Sequence, residues 1–423
     1  MSKKKFQIPG ILSYYGYDET ASRLIHVHVH YKLILGHDLT KNYHLPVENV
    51  FLESSSQGEF FPIPSPELEY IVFIIRMMLK HSTWSAILNG QGKLSSRERQ
   101  EMEYLQKKVN RKQMDHDLTK HFAFLNLALF DDCIRSLQPL CSFRFRFKSG
   151  QRIQKALRGC AIRPKARDIW LQFWRRLAMG IKRRVFGSVP RRRLKNGGLL
   201  VAFVGGDGAG KTTLIDAISE WLSPPFPTAK FHLGKPPWSR TTTFTKGLMK
   251  AGRILGFPPF KKAPFDSITQ ENPGSFPGYP FLISAVCVAR DRYLTYVKAR
   301  RQADKGIFVI CDRFPLLNII SMDGPRIERM IGTQKDNGFI RLLRKLENRY
   351  YRSIALPDIL FVLKADPETA VERKSDENEV SVRARSKEIW EKDWGGLAAC
   401  IIDANQPKTK VLHMTKILLW ASI

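Results

Sequence analysis

The sequence predicts an α/β protein in which helices flank a parallel sheet in the C-terminal half, preceded by a smaller α/β or α+β unit. Three observations carry this. An unbroken apolar run, Leu199 to Val204, passes through a glycine-rich turn into a helical pattern, as a buried parallel strand does. Two later apolar runs, Ile307 to Cys311 and Ile359 to Leu363, are each followed within a few residues by an aspartate and a new segment. Before residue 141, one strand-like stretch is followed by dense helical ones.

At 423 residues, with 43% hydrophobic and 11% aromatic side chains, the chain can build two ordinary cores. We divide it into an N-terminal α+β domain of unassigned role at 1–141, a strongly basic linker with an amphipathic helix at 142–196, and a C-terminal domain at 197–423. The formal charge is +30, and its distribution is uneven. Residues 142–196 hold 18 basic side chains and one acidic, against 17 and 15 before them and 34 and 23 after. Such a segment attracts phosphates, nucleic acid or an anionic membrane. The six cysteines are scattered singly, without zinc or disulfide spacing. Reduced, cytoplasmic thiols are the simplest reading. Met1 to Phe6 is basic but is followed by no apolar signal core, and runs such as Tyr70 to Ile75 are too short to span a bilayer. A soluble or peripheral protein is expected.

Taken in order, Ala21 to Gly36 ("ASRLIHVHVHYKLILG") alternates as a strand does. Its His26, His28 and His30 share one face, which is a polar strand face or, less simply, a metal grip. "SPELEYIVFIIRMMLKH" starts a helix at Ser65 and Glu67, too apolar for the surface. Residues 95–120 are polar and helical in pattern, and 121–138 are apolar again. From Arg163 to Phe186, Trp170, Phe173, Trp174, Leu177 and Ile181 recur at helical spacing among arginines and lysines. The ordinary expectation is an aromatic stripe packed on a domain with the basic side in water. The alternative is a helix lying on an anionic membrane through residues 163–195; nucleic acid is the weakest partner. Val189 to Gly198 reads as an exposed linker.

The motif GxxxxGK[ST] is complete at Gly205, Gly210, Lys211 and Thr212. Gly205, Gly206, Asp207, Gly208, Ala209, Gly210, Lys211, Thr212 and Thr213 together form a cradle of backbone N–H groups at a helix start, which suits anionic phosphate. Lys211 would reach the β- and γ-phosphates of ATP, and the Thr212 hydroxyl would ligate Mg²⁺. "KGIFVICDRFP" sets Asp312 and Arg313 at the carboxyl end of a strand, where Asp312 would serve the metal and Arg313 a phosphate. Next come a strand from Ile359 to Lys364, a turn at Asp366 and Pro367, and a helix. "SVRARSKEIW" then carries Arg383 and Arg385, as a closing lid would. Cys400 to Ala404 is the last strand candidate.

In "FVGGDGAGKTTL", "ARDRYLTYVKARRQADKGIFVICDRFP", "LPDILFVLKADPETAVERK" and "VRARSKEI", residues 198–423 resemble the thymidylate kinase family. The resemblance implies a five-stranded parallel sheet in the order 2-3-1-4-5 and transfer of the γ-phosphoryl of ATP to a nucleoside monophosphate, dTMP first. It implies that Asp312 and Arg313 are the family's Asp-Arg pair, and that Arg292, or Arg290 in a shifted register, contacts the acceptor. Because the loop carries Asp207 and Ala209 rather than a basic residue, it implies Arg383 and Arg385 as catalytic lid arginines. The acceptor side departs from the family, with "FHLGKPPWSR", a Pro- and Phe-rich insertion to about Pro280, and "LLNIISMDGPRIERM". In the last of these, Asp323 to Arg326 is a substrate loop or a plain turn. Residues 21–85 faintly resemble the later part of a nucleotidyltransferase-like domain, without its Gly-Ser turn or paired aspartates. Other readings stay open: a phosphotransferase acting on a sugar or lipid, an ATP-gated protein binding a membrane or anion, and a homodimer as its assembly.

Overall fold

The computed structural model describes residues 2–3, 10–58, 61–82, 92–186, 191–194, 197–255, 278–317, 319, 323–331, 337–374 and 377–423. The insertion at 256–277, and 187–190 and 195–196 of the expected linker, lie outside the described residues. The chain forms two compact units, one from Lys5–Tyr14 and His26–Pro190, the other from Met1–Lys4, Tyr15–Ile25 and Arg191–Ile423. A two-stranded hairpin, β1 (Ile11–Asp18) and β2 (Arg23–His30), gives its tip to the second unit and its base to the first.

The first unit is mainly helical, with short antiparallel pairs at 34–35 with 43–44 and at 56–57 with 62–63. Its axis is α1 (Pro66–His81), started by Ser65, whose hydroxyl accepts from the Leu68 N–H at 3.3 Å. Ile71, Ile74, Ile75 and Met78 are fully buried, which explains the apolar density of this segment. Around it lie α2 (Ser96–Lys108), opened by a Ser95–Glu98 capping box, α3 (Arg111–His121), α4 (Leu127–Leu137) and α5 (Phe143–Ala156). Phe122, Phe130 and Ile153 close the core. Then α6 (Lys165–Phe186) turns its aromatic stripe outward and buries Asp168, opposite to the ordinary expectation. His26, His28 and His30 line up exposed along β2, with ring centroids 4.1 and 6.5 Å apart. Among the described residues, no group of three or more His, Cys, Asp or Glu is placed to hold a metal.

The second unit is a five-stranded parallel sheet between helices. Its elements run β3 (Leu199–Gly205), α7 (Lys211–Leu222), β4 (Thr228–His232), α8 (Arg240–Ile254), α9 (Tyr279–Asp304), β5 (Phe308–Asp312), α10 (Gly338–Arg352), β6 (Ile359–Lys364), α11 (Pro367–Glu372), α12 (Glu379–Glu391), β7 (Ala399–Asp403) and α13 (Lys408–Ala421). The strand order β4-β5-β3-β6-β7 is the expected 2-3-1-4-5. Central β3 is apolar throughout because both faces are covered. On one side Val201 and Phe203 join Phe308, Phe361, Ile218 of α7 and Leu419 of α13. On the other, Leu200, Ala202 and Val204 meet Val309, Val362 and Ala299 of α9. The register pairs Asp312 with Phe203 and with His232, so the loops after β3, β4 and β5 emerge at one edge.

Phe361 stacks on Phe203 across the central strand pair, centroids 5.1 Å apart and planes 14° apart, and both are fully buried. Phe361→Ala should therefore cost the C-terminal unit about 3–5 kcal/mol. Urea denaturation reads this, and a loss under about 1 kcal/mol would mean that the sheet core does not depend on this pair.

Candidate phosphate-binding site

β3 ends at Gly205, and the chain turns back through Gly206, Asp207, Gly208, Ala209 and Gly210 into α7. Gly208 and Gly210 have φ of +82° and +78°, which favours residues without a side chain. Space is limiting as well. A Cβ on Gly206 would lie 2.4 Å from the Ser386 hydroxyl of α12, and one on Gly208 would lie 2.5 Å from the Ala370 carbonyl of α11. The loop is thus clasped by the two helices after β6. Thr212 and Thr213 follow on the exposed side of the first turn of α7, where a helix leaves N–H groups without internal partners.

Lys211 folds back and donates to the carbonyls of Gly205 and Gly206 at 2.8 and 2.7 Å. Burial, reinforced by the nearby Arg313 cation, lowers its ammonium to about 8, although Asp207, Asp312 and Asp323 oppose this. Beside it Asp207 is only 3% exposed. Its Oδ1 accepts from Arg313 Nη2 at 2.6 Å and its Oδ2 from Arg385 Nη1 at 2.8 Å. Burial alone would raise this carboxyl, but Arg313, Arg385 and Lys211 outweigh it and hold it below the ordinary aspartate value. Arg313 itself sits at φ +54°, a strained conformation for a residue with a Cβ. Three cations from the loop, the end of β5 and α12 therefore converge on one buried carboxylate.

Asp312 lies at the same edge, its Oδ2 3.7 Å from His232 Nε2 and its buried Oδ1 without a hydrogen-bond partner among the described residues. Buried acceptors rarely stay unsatisfied, so this oxygen suits a cation or its water shell. The Thr212 hydroxyl, on the exposed first turn of α7, is a second oxygen that the sequence assigns to the same ion. Mg²⁺ takes few protein oxygens, since it keeps waters and substrate phosphates in its shell. His232, absent from the sequence reading, is held below its ordinary value by burial and Arg313, against the pull of Asp312 and Asp323.

Two expected residues stand elsewhere. Arg383 donates to Glu368 and, at 2.8 Å, to Glu379, away from the cluster. The reason is helical geometry: α12 is regular, and residues two apart project about 200° apart around it, so Arg383 and Arg385 cannot both face the loop. Arg292 is fully buried and has spent all five donors inside the protein. Nε donates to the Leu233 carbonyl, Nη1 to the Asp323 carbonyl and the Tyr351 hydroxyl, and Nη2 to the Gly234 carbonyl and Asp323 Oδ1. It retains no donor for a substrate and acts as a clamp. Asp323 is thereby tied down, as are the backbones of Arg326 and Ile327, which donate to Glu347 at 2.9 Å each. The shifted-register Arg290 is half-exposed, donates to the Ser239 and Thr241 hydroxyls, and has a buried Nε without a partner. "FHLGKPPWSR" carries the chain from β4 into α8, and its Ser239 is anchored on buried Asp291.

No model of a known protein family matches the chain. Among curated proteins, the chain is similar to "Uncharacterized ATP-binding protein YghS" of Escherichia coli (strain K12), 26% identical over 218 residues, which is 51% of this chain and 89% of that protein. It is also similar to "Uncharacterized ATP-binding protein YghR" of the same strain, 28% identical over 222 residues, 51% and 85% of the two chains. Among solved structures, a deoxyadenosine kinase from M. mycoides with bound dATP is 15% identical and covers 52% of this chain and 99% of its own, with a TM-score of 0.32. That likeness is too loose to argue from.

Two outcomes follow from the geometry. The folded chain holds Lys211 near 8 and the unfolded chain near 10.5. Between those values the unfolded state binds more protons, so this residue's contribution to stability rises with pH across the window. Wild-type protein should gain melting temperature relative to Lys211→Met from pH 8 to 10.5; parallel curves would exclude Lys211 as the titrating group. Arg292→Ala leaves Asp323 buried without its cation and should cost about 3–5 kcal/mol of stability. Wild-type stability in that variant would dismiss the clamp.

Proposed function

We propose that the C-terminal unit binds ATP with Mg²⁺ and transfers its γ-phosphoryl group to a nucleoside monophosphate, with dTMP the first acceptor to try. The observation that carries this reading is the convergence of Lys211, Arg313 and Arg385 on Asp207 at a glycine loop. The names of the two Escherichia coli relatives support the ATP half.

In this reading the chain works by placement and charge, since phosphoryl transfer needs no covalent help from the protein. The first turn of α7 and the loop N–H groups hold the donor phosphates. Lys211 exchanges its two loop carbonyls for phosphate oxygens. Arg313 and Arg385, already oriented by Asp207, neutralise the charge that builds up during transfer, and such prior orientation spares the reorganisation that water would require. Asp312 and Thr212 would hold Mg²⁺, which would draw charge from the phosphate oxygens. The close approach of α11 and α12 to Gly206 and Gly208 fixes the path of the loop.

One observation favours a second acceptor class. The arginine on which the resemblance sets the acceptor contact, Arg292, has no donor to spare. That contact then falls to Arg290, beside Ser239 and Thr241, and a phosphorylated sugar or lipid would be met there as readily. Release of ADP across a panel of nucleoside monophosphates, sugars and lipids tests both. Stimulation by dTMP supports the first reading; stimulation by none of the monophosphates but by a sugar or lipid replaces it; no ATP binding at all sinks the phosphotransferase.

The variants should divide sharply. Lys211→Ala should impair ATP binding and turnover together. Arg385→Ala should lower kcat about a hundredfold while leaving ATP affinity within a few-fold. Arg383→Ala, which loses only contacts to Glu368 and Glu379, should turn over like wild type. Steady-state kinetics decides this: equal losses in both arginine variants would mean that α12 rotates during turnover.

A further inference from the structure

Among the described residues nothing covers the aromatic face of α6, and its polar side is the one that packs. Asp168 is buried, accepts from Gln172 Nε2 at 2.8 Å and pairs with Arg163 at 3.5 Å. Arg175 donates to the Leu39 carbonyl, and Arg176 Nη2 meets His37 Nε2 at 3.0 Å. Burial and the Arg176 cation keep His37 below its ordinary value, so the ring stays neutral and accepts. These contacts all lie in one unit and fix which way the helix is turned.

The opposite side is therefore left in water. Trp170 and Phe173 are each 61% exposed, Trp174 48%, Leu177 40% and Ile181 49%. At 3.6 residues per turn these five side chains fall within an arc of about 100°. The rings touch one another, Trp174 lying 6.0 Å from both Trp170 and Phe173, so the patch is already assembled. Contiguous apolar surface of this kind marks a docking site.

We propose that α6 docks this protein on an anionic lipid bilayer, lying flat with the Trp170–Phe173–Trp174 plate among the headgroups. Charge selects this occupant. Arg167 and Arg184 are exposed along the edges of the plate, and exposed Lys165 lies at the start of the same helix. The one acidic residue in the 55-residue basic segment, Asp168, is the buried one, so the segment shows the surface no negative charge. Tryptophan with flanking arginine and lysine suits the headgroup layer, where rings sink and cations meet phosphate. Nucleic acid would need cations at the centre of the face, where this helix has rings. Among the described residues no helix is long and apolar enough to cross a membrane, which agrees with a helix that lies on the surface.

The test is co-sedimentation of the full chain with phosphatidylcholine vesicles, with and without phosphatidylserine. Binding is expected with phosphatidylserine, weaker without it, and reduced as salt is raised, because cation–headgroup attraction is screened. Trp170→Ala with Trp174→Ala removes two exposed rings, so the melting temperature should hold while partitioning falls at least about tenfold. Lys165→Glu with Arg167→Glu should abolish the preference for phosphatidylserine. Three results overturn the proposal: no binding to either vesicle, equal binding by wild type and the tryptophan variant, or a wild-type dimer in light scattering that the tryptophan variant loses while vesicles bind neither. The last would assign the face to a second copy of the chain.

Discussion

Asp207 is the contact on which the candidate phosphate-binding edge of the second unit depends. A carboxylate 3% exposed can stay charged only with cations at hydrogen-bond distance. It takes them from Arg313, 106 residues away, and Arg385, 178 away. These two bonds join the loop after β3, the strained end of β5 and the helix α12 into one assembly. They also fix both guanidinium groups beside the glycine loop. The carboxylate is the anchor that these three segments share.

A second arginine shows the opposite use of the same side chain. Arg292 is as cationic as Arg385, but its five donors end on three carbonyls, a hydroxyl and a carboxylate. Saturation makes it rigid and leaves it nothing to offer a ligand. Arg385 and Arg313 are each about a quarter exposed along the side chain and both donate to the Asp207 carboxylate at the glycine loop. What sets Arg292 apart from these two is full burial with every donor accounted for inside the protein.

In the N-terminal unit the governing constraint is again polar. The backbone and side chains of residues 37–42 offer α6 specific partners, including the Leu39 carbonyl, the His37 ring and, for Arg163, the Thr40 carbonyl at 2.8 Å. Hydrogen bonds with defined geometry turn the helix, and the aromatic stripe goes where the remaining space lies. Amphipathic spacing alone could not choose between the two faces.

How much was legible in the sequence follows from how local each signal is. The glycine loop, the apolar β3 and the helix after it are set by neighbouring residues: Gly208 and Gly210 need positive φ, and Leu200 to Val204 need cover on both faces. The later strands and the start of α1 at Ser65 are equally local, and the sheet order came with the resemblance those segments carry. The pairing of Asp207 with Arg385, the saturation of Arg292 and the outward turn of α6 are decided by groups tens to hundreds of residues apart. Hydrophobic periodicity and backbone preference are written residue by residue, so the sequence determined the elements and the glycine loop. Which donors and acceptors are spent within the protein depends on what the fold brings together, so only the tertiary structure decided which charged side chains remain available.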